Sequence, residues 1–265
     1  MSSLEEIWEI VKDRIGISRE EFFEEVSRLS ERADINERAA ALLVARRRGI
    51  NPMDILYPPI LGRILEAGPV RETRGGIEYR IFTLVNEREL RLCVAFGREH
   101  VKRVGELEDR VVSVSRYVVA RTRMGELTRI TENSVITELS DDLLPPIHLL
   151  PPARVPTLKQ LKEVKAMRVA SAMVIIDEIT QVSVCPLCGR SVDLVGDEWM
   201  CETHGPVEPD TKNIHRVQLA DRTGIYMGVY LGPTRDIEGK RVTFKGMFRG
   251  EELFVSKIYD IEEVG

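Results

Sequence analysis

The sequence predicts a mainly β protein with an N-terminal α-helical domain, its strands gathered into two small barrels. Three observations carry this. Apolar residues recur at helical spacing up to residue 49. Beyond residue 57 the period falls to two, in two runs of five segments. Between those runs stands a proline-rich stretch that suits neither a helix interior nor a central strand.

Residues 1–50 read as an acidic three-helix domain. Each helix has a capping-box start: Ser3 with Glu6, Ser18 with Glu21, Asp34 with Glu37. Leu4, Ile7, Trp8, Val11 and Ile15 share one helical face, and Phe22, Phe23, Val26 and Leu29 another. Gly16 and Gly49 stand where C-terminal caps belong. Arg46-Arg47-Arg48 closes the third helix, where cations complement the dipole; a phosphate site is the alternative. Residues 1–56 hold 9 Lys+Arg against 12 Asp+Glu, a balance that repels phosphate and suits a protein partner. Residues 51–59 read as a proline-bearing linker.

The first barrel spans 57–140, with strands expected at 60–67, 77–85, 90–96, 110–121 and 127–139 and a helical turn or two at 97–108. Five strands with that interruption suit a small Greek-key barrel, the OB-fold. The segment 141–156 carries five of the thirteen prolines and reads as a semi-rigid linker. The remainder, 157–265, opens with a helix at 157–165. A second OB-fold follows, with strands at 170–184, 214–221, 224–231, 241–248 and 252–261. In the strand 224–231, Ile225, Met227 and Val229 are expected to face the core. Tyr226 and Tyr230 would then lie outside, with Gly228 clearing space between them for stacking.

Composition narrows the function. The chain has 265 residues, 43% hydrophobic and 31% charged, which excludes wholesale disorder. No apolar stretch is long enough to span a membrane, and the acidic start does not resemble a signal peptide, so an intracellular protein is expected. The net charge of -5 gives no general pull toward nucleic acid, although residues 57–140 are mildly basic, with 14 Lys+Arg against 12 Asp+Glu. Only 3 Gln and 5 Asn accompany this charge, a thermophile-like balance.

The sharpest motif is Cys185-Pro-Leu-Cys188 followed by Cys201-Glu-Thr-His204, in a ribbon at about 184–208. Two residues between the ligands of each pair let a short loop aim both at one tetrahedral ion, and Gly189 and Gly205 follow where a knuckle turns. Four protein ligands fill the sphere, so a structural Zn(2+) is expected; a redox pair would leave Cys201 and His204 unexplained. Cys93 reads as a buried small hydrophobe.

Taken together, GISREEFFEEVSRLSERADINERAAALLVARRRGI at the start and VSVCPLCGRSV, WMCETHGPVEP and HRVQLADRTG later in the chain are similar to the large subunit of archaeal replication protein A. That protein is itself a standard instance of OB-fold single-strand binding. The resemblance implies sequence-tolerant binding of single-stranded DNA in replication and repair, alongside other subunits or replication proteins docked through residues 1–50. In the first barrel it points to Phe82, Phe96 and Tyr117 as candidate stacking rings, barrel core being the alternative for each, with Arg80 and Arg91 on phosphates; Arg63, Arg116 and Arg121 are further candidates. The second barrel adds Tyr226, Tyr230, Lys245, Phe248 and Arg249, with Phe254 nearby. Where the family sets a second aromatic on the last strand of the first barrel, this chain reads Glu126-Leu127-Thr128-Arg129. An adaptor of a replication assembly and an RNA-binding OB protein remain alternatives. No Walker, GxSxG or HExxH motif is present, His148 falls in the proline-rich linker, and His100 and His215 have no Ser or Cys nucleophile beside them, so no enzyme is expected.

Overall fold

The structure, a computed structural model, describes residues 4–122, 125–188, 190–233 and 235–264. The capping residue Ser3 and the knuckle Gly189 lie outside the described residues. The chain forms two compact units. One runs to Leu144 apart from Glu87–Glu89; the other holds those three residues and continues from Pro145.

The first unit opens with α1 (Leu4–Ile15), α2 (Arg19–Ala33), α3 (Glu37–Arg47) and α4 (Pro52–Leu56). Ser18 starts α2 with a full capping box: Glu21 N donates to Ser18 Oγ at 3.2 Å, and Ser18 N to Glu21 Oε2 at 2.9 Å. The start of α3 departs from expectation. Asp34 is taken up as the left-handed residue ending α2 (φ 51°), so the cap moves on to Asn36, which accepts from Ala39 N. Asn51 likewise caps α4, with Pro52 opening it, so the expected linker at 51–59 is partly helical. Ile7, Val11, Phe22, Val26, Ala40, Val44 and Ile55 form the helical core, with Trp8 packed 5.4 Å from Phe22.

The first sheet follows as β1 (Ile60–Glu72), β2 (Glu78–Val85), β3 (Leu90–Phe96), α5 (Arg98–Glu106), β4 (Val111–Ser115), β5 (Val118–Thr122), β6 (Gly125–Ile130) and β7 (Val135–Glu138). The expected strand at 110–121 breaks at Arg116, whose φ of 56° turns the chain, and the strand at 127–139 also divides. Strand order is β5-β6-β3-β2-β1-β4-β7, with β3 and β6 parallel. Since β4 and β5 are halves of one bent strand at opposite sides of that order, the sheet curls back on itself along the OB-fold path. Ile64, Phe82, Leu84, Cys93, Ala95, Val112, Val114 and Ile130 fill it.

Buried Arg63 ties the end of this unit down. Its guanidinium donates to Asp109 O and Asp141 Oδ1 at 2.9 Å, to Leu144 O at 2.7 Å and to Asp141 O. Arg110 holds the other carboxylate oxygen of Asp141 at 2.7 Å. Arg63 is therefore a structural clasp, not a phosphate contact. The proline-rich stretch is likewise no free chain. In the second unit it forms single turns at Ile147–Leu149 and Pro151–Ala153, with Ile147, Leu150 and Ala153 buried.

The second unit continues with α6 (Leu158–Val164), β8 (Arg168–Val184), β9 (Asp193–Val195), β10 (Glu198–Cys201), β11 (Gly205–Pro206), β12 (Asp210–Asp221), β13 (Gly224–Tyr230), β14 (Arg241–Arg249) and β15 (Glu252–Glu262). Five of these close a barrel in the order β12-β13-β15-β14-β8, with β13 and β15 parallel: an OB-fold. The small sheet β11-β10-β9 is inserted between β8 and β12. Gly228 permits the parallel approach, for a Cβ there would sit 2.9 Å from Leu253 O. No helix among the described residues is long and apolar enough to cross a membrane.

Removing the clasp by Arg63→Ala leaves the Leu144 and Asp109 carbonyls short of a partner, at an expected cost of about 3 kcal/mol in chemical denaturation. The hydrogen bond from Arg110, then that from Arg63, holds the Asp141 carboxyl below its ordinary 3.8. A depressed carboxylate contributes stability above its unfolded value and loses it as pH falls through the folded one. Stability of the wild type should thus fall as pH drops below about 4, and Asp141→Asn should flatten that acid limb.

Candidate nucleic-acid interface and metal centre

The two knuckles face each other at the base of the inserted ribbon. Cys185 N donates to Arg190 O at 2.8 Å, closing the first turn. The Sγ atoms of Cys185, Cys188 and Cys201 and the Nδ1 of His204 all lie within 4.8 Å of one another. Cys188 and Cys201 sulfurs are 3.6 Å apart, and His204 Nδ1 lies 3.6 Å from Cys185 and 3.7 Å from Cys201. A tetrahedral ion bound at about 2.3 Å to sulfur sets ligand spacings of about 3.5–3.8 Å, so these residues fit one. Backbone N–H groups of Thr203 and His204 donate toward Cys201 and bring its thiol down to about 6, toward the thiolate a metal needs. Val192, Trp199 and Val207 pack on the buried Cys185 and Cys201, so Trp199 is part of the ribbon's small core.

In the barrels, burial and pairing decide which side chains face outward. Phe82 pairs with Cys93, and both are buried, at 1% and 0% exposure. The alternate set on β2 and β3 faces away from that core; Thr83, Val85 and Val94 of this set are covered, while Tyr79 and Phe96 are half-buried. It places Tyr79 directly opposite Phe96, ring centroids 6.1 Å apart, with Ile81 exposed beside them. On β6, buried Thr128 and Ile130 flank exposed Arg129, whose guanidinium lies 5.1 Å over the Phe96 ring. Beside Phe96 is a cavity of about 490 Å³, lined by Thr73, Ile77, Gly97, Arg129, Thr131, Glu132 and Asn133.

The second barrel reverses the expected faces. His215, Val217 and Leu219 on β12 are buried, and they pair with Tyr230, Gly228 and Tyr226 on β13. Tyr230 is 2% exposed, its ring 5.2 Å from His215, while Tyr226 packs edge-on against buried Phe248 at 5.5 Å. Ile225 and Met227, expected inside, are 64% and 52% exposed. Both sets on β13 are apolar enough for a core, so its neighbour β12 fixes which enters. The outer face carries a row across four strands: Arg216, Val229, Phe254 and Met247. Arg249 lies 4.9 Å over the Phe254 ring.

Several residues expected on DNA thus stand elsewhere. Phe82, Tyr226, Tyr230 and Phe248 are core or core-packed, and Lys245 is buried. Tyr117 is buried too, its hydroxyl donating to Pro58 O at 3.0 Å. Arg80 turns inward against Gly105 of α5, with its Nε buried and unpaired. Arg91 shares the inward parity of Cys93 and is half-buried. Arg116 and Arg121 are exposed, Arg116 at the strand break and Arg121 near Glu126. Phe96 and Arg249 lie on outer faces. Tyr79 and Arg129 were missed; the alternation Tyr79, Ile81, Thr83 against Arg80, Phe82, Leu84 was the available signal. Asp177 meets His215 Nδ1 at 2.9 and 3.0 Å within the second unit, a buried pair beside Tyr230 with no nucleophile in the set.

No protein-family model and no curated protein matches this chain. Among solved structures it is similar to a replication protein A heterotrimer bound to single-stranded DNA, at 14% identity and TM-score 0.42, covering 78% of this chain and 49% of that one. The chain thus spans about half the length of that structure's chain. A murine DNA-binding protein bound with double-stranded DNA shares 13% identity at TM-score 0.34, over 78% and 96% of the two chains. An OB domain from Thermoplasma acidophilum shares 15% at TM-score 0.27, over 35% and 83%. The strand orders given above, not these likenesses, establish the barrels.

A core role for Tyr230 has a measurable consequence. Tyr230→Ala should destabilise the second barrel by about 3–5 kcal/mol in thermal or chemical unfolding. Unchanged stability would return the ring to the surface.

Proposed function

We propose that this chain is a single-stranded DNA-binding protein of replication and repair, of the archaeal replication protein A large-subunit type. It acts by binding and not by catalysis. One observation supports this above the rest: the outward pair Tyr79 and Phe96 with Arg129 above it. Every base has a π face, so half-buried rings on an outer face and a stacked guanidinium hold bases with little regard to sequence, at about 1–3 kcal/mol per base. Exposed Arg71 and Arg74 near the turn between β1 and β2, and Arg98 just after Phe96, supply cations for the phosphates. The second barrel offers Phe254 under Arg249, with Arg216 in the same row as the ring.

The ribbon takes a structural Zn(2+) on Cys185, Cys188, Cys201 and His204, whose donor set of three thiols and one imidazole suits that ion. Residues 185–209 hold five carboxylates against one arginine, so the ribbon stands off the phosphate path. That charge, with the acidic helices, favours a second role as an adaptor toward other subunits or replication proteins.

Two measurements test this. In fluorescence anisotropy with a labelled single strand, Tyr79→Ala and Phe96→Ala should each weaken binding about tenfold or more, with duplex and RNA of equal sequence competing poorly. Equal binding of duplex, or full affinity in the double variant, removes the reading. Elemental analysis should find one zinc per chain, and Cys201→Ser should lose it together with the ribbon's protease resistance.

A further inference from the structure

The pocket beside Phe96 carries more than stacking requires. It holds about 490 Å³, within the range of small-ligand sites. Its floor is Phe96 with Arg129. Two turns build its rim. In one, Thr73 N donates to Ile77 O at 2.9 Å and Ile77 N to Thr73 Oγ1 at 3.1 Å. In the other, Ser134 N donates to Thr131 O, Thr131 N to the Ser134 hydroxyl, and that hydroxyl to Arg116 O at 3.0 Å. Buried Ser134 therefore anchors the turn that presents Glu132 and Asn133. Neither of those side chains has a hydrogen-bond or ion-pair partner among the described residues.

A pure stacking platform gains nothing from a carboxylate, which repels the phosphates it must track. The same carboxylate is useful if a base offers it a donor. Cytosine does so through its exocyclic amino group, with acceptors at N3 and O2 beside it. A carboxylate next to a carboxamide matches that pattern: Glu132 accepts from the amino group, and the Asn133 amide donates to the ring acceptor. Thymine sets a carbonyl where cytosine sets the amino group, so it brings an acceptor against an acceptor.

Resting on the single-strand reading above, we propose that the first barrel is base-selective at this pocket. It prefers a base that sets an exocyclic amino group beside a ring acceptor, as cytosine and adenine do, over thymine, and Glu132 is the residue that discriminates. The barrel then departs from sequence-tolerant binding at one nucleotide position.

Anisotropy on the full chain, with labelled fifteen-nucleotide dC and dT strands near neutral pH, tests it. The wild type should bind dC about tenfold more tightly than dT. Glu132→Ala, an exposed turn substitution that leaves both cores intact, should bring the ratio close to one. Equal affinity of the wild type for the two strands overturns the selectivity while leaving the single-strand reading in place. A preference that survives Glu132→Ala removes Glu132 from the role. Failure to bind either strand overturns both readings at once.

Discussion

A strand in a closed barrel cannot choose its faces alone. Side chains alternate, the barrel has one inside, and each strand is registered against two neighbours. Once Val217 and Leu219 of β12 are buried, pairing commits Tyr226, Gly228 and Tyr230 to the interior and turns Ile225 and Met227 to solvent. The first barrel obeys the same constraint. Phe82 goes in with Cys93, and Tyr79 and Phe96 go out together. What each barrel can touch is thus a by-product of how its core closes.

Much of the architecture was legible because short-range chemistry wrote it. Ser18 and Glu21, Gly16 and Gly49, and the alternating runs from residue 60 onward fix local conformations that the fold retains. The four metal-site residues were legible for the same reason, since two-residue spacings bring ligands together within one loop. Parity was not legible. On β13 either set of residues makes an acceptable core, and the sequence of that strand holds no vote on which is used. Arg63 was misread because its partners, Asp109, Asp141 and Leu144, lie far along the chain. Asp34 was misread because two helix ends compete for the same residues, and the C-terminal end of α2 took it.

Charge is distributed so that recognition has separate places to happen. The helices and the ribbon are acidic, and the curled sheet of the first unit is mildly basic with its rings outward. Phosphate is drawn toward the sheet and away from the other two, while a basic protein surface is drawn the opposite way. On the proposed function, a strand and a protein partner would be drawn to different parts of the chain.

The ribbon's position inside the barrel's first hairpin also bears on how the second unit assembles. Val184 pairs with Asp210, and the twenty-five residues between them would form a long, entropically expensive loop if unstructured. A folded ribbon holds the ends of β8 and β12 together, turning a distant pairing into a local one. The insertion thus spares the barrel it interrupts the cost of closing a twenty-five-residue loop.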